Sequence, residues 1–140
     1  MYAIYGIIKD YLGMVMGSQR RKLVYIGSSR KDAEKLPQEV KDIFLDALML
    51  ALIGETHKDA KPFKHHGSGV FEVVGDHRNS TFREVYTVRY PEVVYVIHVF
   101  QKKSKKGKET PKEDIEKIGN RLKWAEQLYK EEYGKKNKKK

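Results

Sequence analysis

Two runs, TFREVYTVRY (81–90) and VVYVIHVFQK (93–102), are separated only by Pro91-Glu92, and they constrain this chain more than any other feature. Both are rich in β-branched and aromatic residues, as strands are. A connection that short joins them as antiparallel neighbours. With Pro91-Glu92 as the loop, Tyr90 faces Val93, so Arg83 faces Phe100, Val85 faces His98 and Arg89 faces Val94. Directly paired residues share a sheet face. One face then holds Phe82, Tyr86, Val88, Tyr95, Ile97 and Val99, the better core. The other holds Arg83, Thr87, Arg89, His98, Phe100 and Lys102, while Glu84 falls on the apolar side. A slip of one residue would invert this relation between the strands.

The rest of the chain builds a frame for that hairpin. KLVYIGSS (22–29) reads as a strand, with Ser29 capping a short helix over 30–36 and Asp32 in its first turn. Pro37 suits the first turn of a second helix, whose Val40, Ile43, Phe44, Ala47, Leu48, Ala51 and Leu52 follow helical spacing. VFEVV (70–74) is a further strand, followed by a polar loop, GDHRNS (75–80). Thr110-Pro111-Lys112-Glu113 offers a capping box with proline at the first helical position. Ile115, Ile118, Leu122, Ala125 and Tyr129 then form an apolar stripe that should dock on the sheet. The fold class expected is α+β: a small single domain, its antiparallel sheet packed against an N-terminal helical pair and a C-terminal helix.

Composition narrows the setting. With 140 residues, 39% hydrophobic and 34% charged, the chain fits one globular domain with a modest core. The division expected is a peripheral segment over 1–21, the domain over 22–133 and a basic tail over 134–140. The first segment is apolar but broken by Lys9 and Asp10, lacks a basic leader and is too short to span a bilayer, so no membrane partner is expected. There is no cysteine, which removes disulfides and thiolate chemistry and fits a cytoplasmic protein. The net charge of +10 draws the molecule towards polyanions.

A sheet face with Arg83, His98, Phe100 and Lys102 suits RNA: cations meet phosphates, and an aromatic ring stacks on a base. Glu72 joins this face if Phe71 and Val73 point inward, and KPFK brings Lys61 and Lys64 to its edge. Plainer readings stand beside this one. Arg83 and Glu72 can form a cross-strand ion pair, and His98 can be a satisfied strand histidine. His65-His66 lacks an evident third ligand for a metal. Lys105, Lys106 and Lys108 suit a solvated loop, and Lys102 and Lys103 hold better-fixed positions at the strand end. There is no phosphate-cradling glycine loop and no serine or cysteine triad.

Taken in order, KPFKHHGSGVFEV, FREVYTV and HVFQKKSKKGKETP resemble the RelE/HigB/ParE superfamily of type II toxin–antitoxin toxins, particularly its phage-derived HigB-like branch. The resemblance spans roughly 22–128 and implies a RelE-like fold. It also implies a metal-independent endoribonuclease (an mRNA interferase), needing no cofactor, that cuts mRNA at the ribosome through 2′-hydroxyl attack. A cognate helix-turn-helix antitoxin would restrain it. Residue by residue, the resemblance gives Arg83 to the scissile phosphate and Lys64 to phosphate binding. Lys102 and Lys103 match the basic pair ending the last strand. His98 is a possible proton carrier and Glu72 the competing base. Lys61, Arg89, Phe100, Lys105 and Lys106 complete the RNA-binding set. Val74 stands where several relatives carry a second arginine, and the C-terminal histidine–tyrosine pair of some relatives is absent, which leaves the acid and base open. The alternatives are a non-catalytic phage-derived binding module, a ParE-like gyrase inhibitor and an inactive ribosome-associated basic protein.

Overall fold

In a computed structural model, described for residues 21–102 and 110–134, the two runs form the central hairpin of a five-stranded sheet. In chain order the elements are β1 (Lys22–Tyr25), α1 (Ser29–Glu34), α2 (Gln38–Leu52), β2 (Ala60–Pro62), β3 (Val70–His77), β4 (Ser80–Thr87), β5 (Val93–Lys102) and α3 (Lys112–Tyr129). A π-helical turn, Lys130–Gly134, follows α3. The strand order is β1-β5-β4-β3-β2, and β2 to β5 form an antiparallel meander. β1 runs parallel to β5, so the sheet is mixed rather than wholly antiparallel. The helices α1 and α2 carry the chain across one face from β1 to β2 at the far edge, and the meander then returns it so that β5 lies beside β1 in the same direction.

Around Arg83 the expected register is the observed one: Arg83 lies opposite Phe100 and Val85 opposite His98. Past Val85 it changes. Tyr86 opposes Val96 and Thr87 opposes Tyr95, so Ile97 is the extra residue of a β-bulge. The bulge reverses the phase of the first half of β5. Val94 and Val96 join Phe82, Tyr86 and Val99 beneath α1 and α2, while Tyr95 and Ile97 join Val85 beneath α3. The placement of Tyr95 and Ile97 on Tyr86's face is corrected accordingly. Arg89 does not pair with Val94, because β4 ends at Thr87.

Both sheet faces are therefore apolar in part, and both are covered. On α2 the spacing that predicts a helix also predicts its buried side: Val40, Phe44, Ala47, Leu48, Ala51 and Leu52 are buried, and Ile43 is half-buried. Ile118, Leu122 and Ala125 of α3 are buried on the opposite face. The face that carries Arg83 and His98 is thus covered by α3 over part of its area.

Local signals shift by a residue or two. Ser29 lies inside α1, buried, its Oγ donating to the Val96 carbonyl at 3.2 Å; Ser28 takes the N-cap position. Pro37 and Pro111 precede their helices instead of opening them. No side-chain cap forms at Thr110; the Pro111 carbonyl accepts the N–H groups of Asp114 and Ile115, both at 3.0 Å. The expected loop over 75–80 is mostly strand, since β3 and β4 meet through a tight turn at Arg78-Asn79. KPFK contributes the short edge strand β2. No described helix is long and apolar enough to cross a membrane. Residues 1–20 of the expected 1–21 segment, the lysines over 103–109, and residues 135–140 of the expected 134–140 tail lie outside the described residues.

Candidate functional site

On the α3 side of the sheet, cross-strand register lines up the polar residues singled out above. Lys61, Glu72, Val85 and His98 are successive partners across four strands, and Val74, Arg83 and Phe100 form the next row. Thr81 and Lys102 pair beyond them. Because paired residues share a face, Lys61, Glu72, Arg83, His98, Phe100 and Lys102 come together on one side of the sheet.

Arg83 Nη1 donates to Glu72 Oε2 at 2.8 Å, and the two side chains are only 10% and 19% exposed. The cross-strand ion pair weighed from the sequence is present. A charge-assisted bond this shielded from water is among the stronger polar contacts a small domain makes. Exposed Lys61 sits opposite Glu72 on β2, and half-exposed Lys102 ends β5. A carboxylate and a guanidinium thus touch, with further cations at the rim.

Phe100 is half-buried and stacks on His98, ring centroids 4.5 Å apart and planes 14° apart. His98 itself is 4% exposed. Its Nε2 lies 2.8 Å from Asp114 Oδ1, and its Nδ1 lies 3.2 Å from Arg121 Nη1. A guanidinium only donates, so Nδ1 accepts, and the assigned ring proton sits on Nε2, donated to Asp114. Burial pushes the imidazole pKa down, and the hydrogen bond to Asp114 only partly offsets this. Both ring nitrogens are engaged by α3.

The remaining candidates are more dispersed. Arg89 Nε donates to the Ser68 carbonyl at 2.9 Å and its Nη2 donates to the His66 carbonyl. With Thr87, whose hydroxyl donates to the Gly69 carbonyl at 2.8 Å, it holds down the loop over 63–69. Lys64 is exposed on that loop. Lys103, Lys105 and Lys106 fall outside the described residues. His65 and His66 flank the ring of Phe63, with centroids at 5.2 and 6.0 Å. Among the described residues no three histidine, aspartate, glutamate or cysteine side chains converge as a metal site would need.

The expectations above do not include Asp114, Arg121 or Gly119, and they take His66 only as a metal ligand lacking partners. The first two lie seven residues apart, beside the stripe of Ile118, Leu122 and Ala125, and charges at that spacing within an apolar stripe are the available signal. His66 Nε2 donates to the Ile115 carbonyl at 2.9 Å, and its ring rests on Gly119, where a Cβ would come within 2.8 Å. Gly119→Ala should therefore lower stability, despite a helix-propensity gain of about 1 kcal/mol. In a His66→Ala background the same change should become stabilising. Urea unfolding of the four proteins measures this coupling, and equal effects of Gly119→Ala in both backgrounds would refute it.

No curated protein sequence matches the chain. Among solved structures, the crystal structure of the toxin–antitoxin complex RelBE2 from Mycobacterium tuberculosis is similar at 19% identity, covering 61% of this chain and 94% of that one, with a TM-score of 0.41. The family described as "Phage derived protein Gp49-like (DUF891)" matches residues 31–123, from α1 through most of α3, and so includes β2 to β5 and the helix packed on them. The chain belongs to this phage-derived Gp49-like family.

Proposed function

We propose that the protein is the toxin of a type II toxin–antitoxin pair, in the phage-derived HigB-like branch of the RelE/HigB/ParE superfamily, and that it cuts mRNA at the ribosome without a metal. The observation that carries this reading is the contact of Glu72 with Arg83 on a face that also holds Lys61, Phe100 and Lys102. In the reaction, the ribose 2′-oxygen bonds to the adjacent phosphorus as the bond from phosphorus to the 5′-oxygen breaks. Glu72 takes the 2′-hydroxyl proton, and Lys102 returns one to the leaving 5′-oxygen. Arg83 and Lys64 offset the charge that the phosphate gains in the transition state. Phe100, backed by His98, offers a ring on which a base stacks. Lys61, with Lys103, Lys105 and Lys106, draws in the RNA backbone. The domain over 22–133 is the working unit, a helix-turn-helix antitoxin its partner, and the cytoplasm its place of action.

A ParE-like inhibitor of gyrase is the second reading, favoured by one observation: Arg83 is only 8% exposed and already bonded to Glu72. The full chain incubated with a short RNA, alone and on translating ribosomes, separates the two. Cleavage leaving a 2′,3′-cyclic phosphate and a 5′-hydroxyl, abolished by one 2′-deoxy substitution, is expected, and cleavage of the RNA alone should be unaffected by a chelator. Intact RNA in both assays, with stalled DNA replication on expression, would replace the first reading by the second.

A further inference from the structure

Arg121 projects from α3 onto the bulge of β5. Its Nη1 donates to the Ile97 carbonyl at 3.1 Å and to His98 Nδ1 at 3.2 Å. Its Nη2 donates to Ser28 Oγ at 2.8 Å, and that hydroxyl passes its own proton to Asp32 Oδ2 at 2.9 Å. The guanidinium lies against Gly27, where φ is 58° and a Cβ would meet Arg121 Nε at 3.1 Å. A side chain at 27 would crowd this seat as well as strain the backbone. One residue thus ties α3 to the bulge and to the start of α1, through hydrogen bonds of ordinary length.

We propose that Arg121 is the positioning residue of the candidate site: by donating to Nδ1 it fixes His98 as the Nε2–H tautomer bonded to Asp114, and so sets the imidazole plane on which Phe100 stacks. The geometry leaves little else for His98 to do. Asp114, Lys117 and Arg121 face it from α3, and along its sheet row Val85 separates it from Glu72. Asp114 favours an imidazolium; Arg121, Lys117 and burial oppose it. Without the guanidinium, Nδ1 is relieved of a donor that only an unprotonated nitrogen can receive, and the ring becomes free to protonate or to turn over. The consequence for RNA rests on the nuclease reading above; the state of His98 does not.

The test is side-chain nitrogen NMR of the full chain, with His98 assigned by comparison with His98→Gln. In the wild type, Nδ1 should show the shift of an unprotonated ring nitrogen at neutral pH and keep it below the ordinary histidine midpoint of 6.5. Arg121→Met should raise proton affinity about tenfold, and Arg121→Lys should fall between. A proton on Nδ1 in the wild type, or an unmoved midpoint in Arg121→Met, would overturn the proposal. If Arg121→Met does not fold, Ser28→Ala, which removes one anchor of the guanidinium, is read in the same way: a smaller upward shift supports the proposal and none overturns it. In cleavage assays Arg121→Met should raise KM more than it lowers kcat, with Arg121→Lys restoring part of the loss; an unchanged KM would also overturn it. A wild type that cuts no RNA sinks the nuclease reading alone, and the NMR result stands.

Discussion

Arg83→Ala should lower RNA cleavage by a factor on the order of 10²–10³, the usual cost of removing one transition-state charge partner. Growth arrest and new RNA 5′ ends on expression should vanish with it. The same change also acts on folding, because it strands Glu72 in a site where only 19% of its side chain reaches solvent. Leaving such a group without its partner costs about 1–3 kcal/mol. Two variants separate chemistry from stability. Arg83→Lys keeps the charge but loses the planar fork, and should retain the fold while losing most of the rate. Arg83→Met combined with Glu72→Leu removes both charges at once, and replacing a shielded ion pair by apolar groups is often neutral or stabilising. The double variant should therefore unfold at a urea concentration close to that of the wild type, yet cut nothing. If it still cuts, the pair serves the fold and the catalytic assignment of both residues fails.

How far the site is readable in advance depends on which interaction fixes each residue. The pairing of Arg83 with Phe100 is legible, although the two-residue connection it is read from does not form: residues 88–92 join the strands, Thr87 opposes Tyr95, and the extra residue Ile97 brings the register back into the expected phase. The bulge at Ile97 is not. VVYVI is apolar at every position, since both faces of β5 are buried there, and a run without alternation carries no phase to be broken. That single inserted residue moves Tyr95 and Ile97 to the α3 side. It also places the Ile97 carbonyl and His98 Nδ1 side by side for Arg121. The surroundings of His98 come from Asp114 and Arg121, on a helix that joins the sheet only through tertiary packing. For the same reason β-propensity alone reads the α3-side face as open: residues 81–102 contain the cations but not the helix that lies over them. Glu84 is the opposite case. Alternation puts it on the apolar face against its chemistry, and the fold leaves it there, 1% exposed between Val73 and Val99.

That carboxyl should make the wild type weaker as the pH rises. Glu84 Oε1 has no hydrogen-bond partner among the described residues, and burial pushes its pKa well above the ordinary 4.5. The folded state therefore holds a proton that the unfolded chain has released. The stability this contributes is fully present below the unfolded value and is lost as pH rises through the folded one. While only the folded state is protonated, the slope approaches about 1.4 kcal/mol per pH unit. Glu84→Leu removes both the titration and the unsatisfied oxygen, and should gain about 1–3 kcal/mol near neutral pH. Glu84→Gln keeps the shape and a polar head but cannot ionise, so it should match the protonated wild type in acid and exceed it increasingly above that. Urea unfolding of the three proteins from about pH 5 to about pH 8 reads the difference directly. A gap between Glu84→Gln and wild type that stays constant over this range would mean that the carboxyl finds a partner or water in solution. A gap that widens would show a core carrying an ionisable group at a cost to the folded state, with the proton lodged beneath α2, on the sheet face away from Glu72 and Arg83.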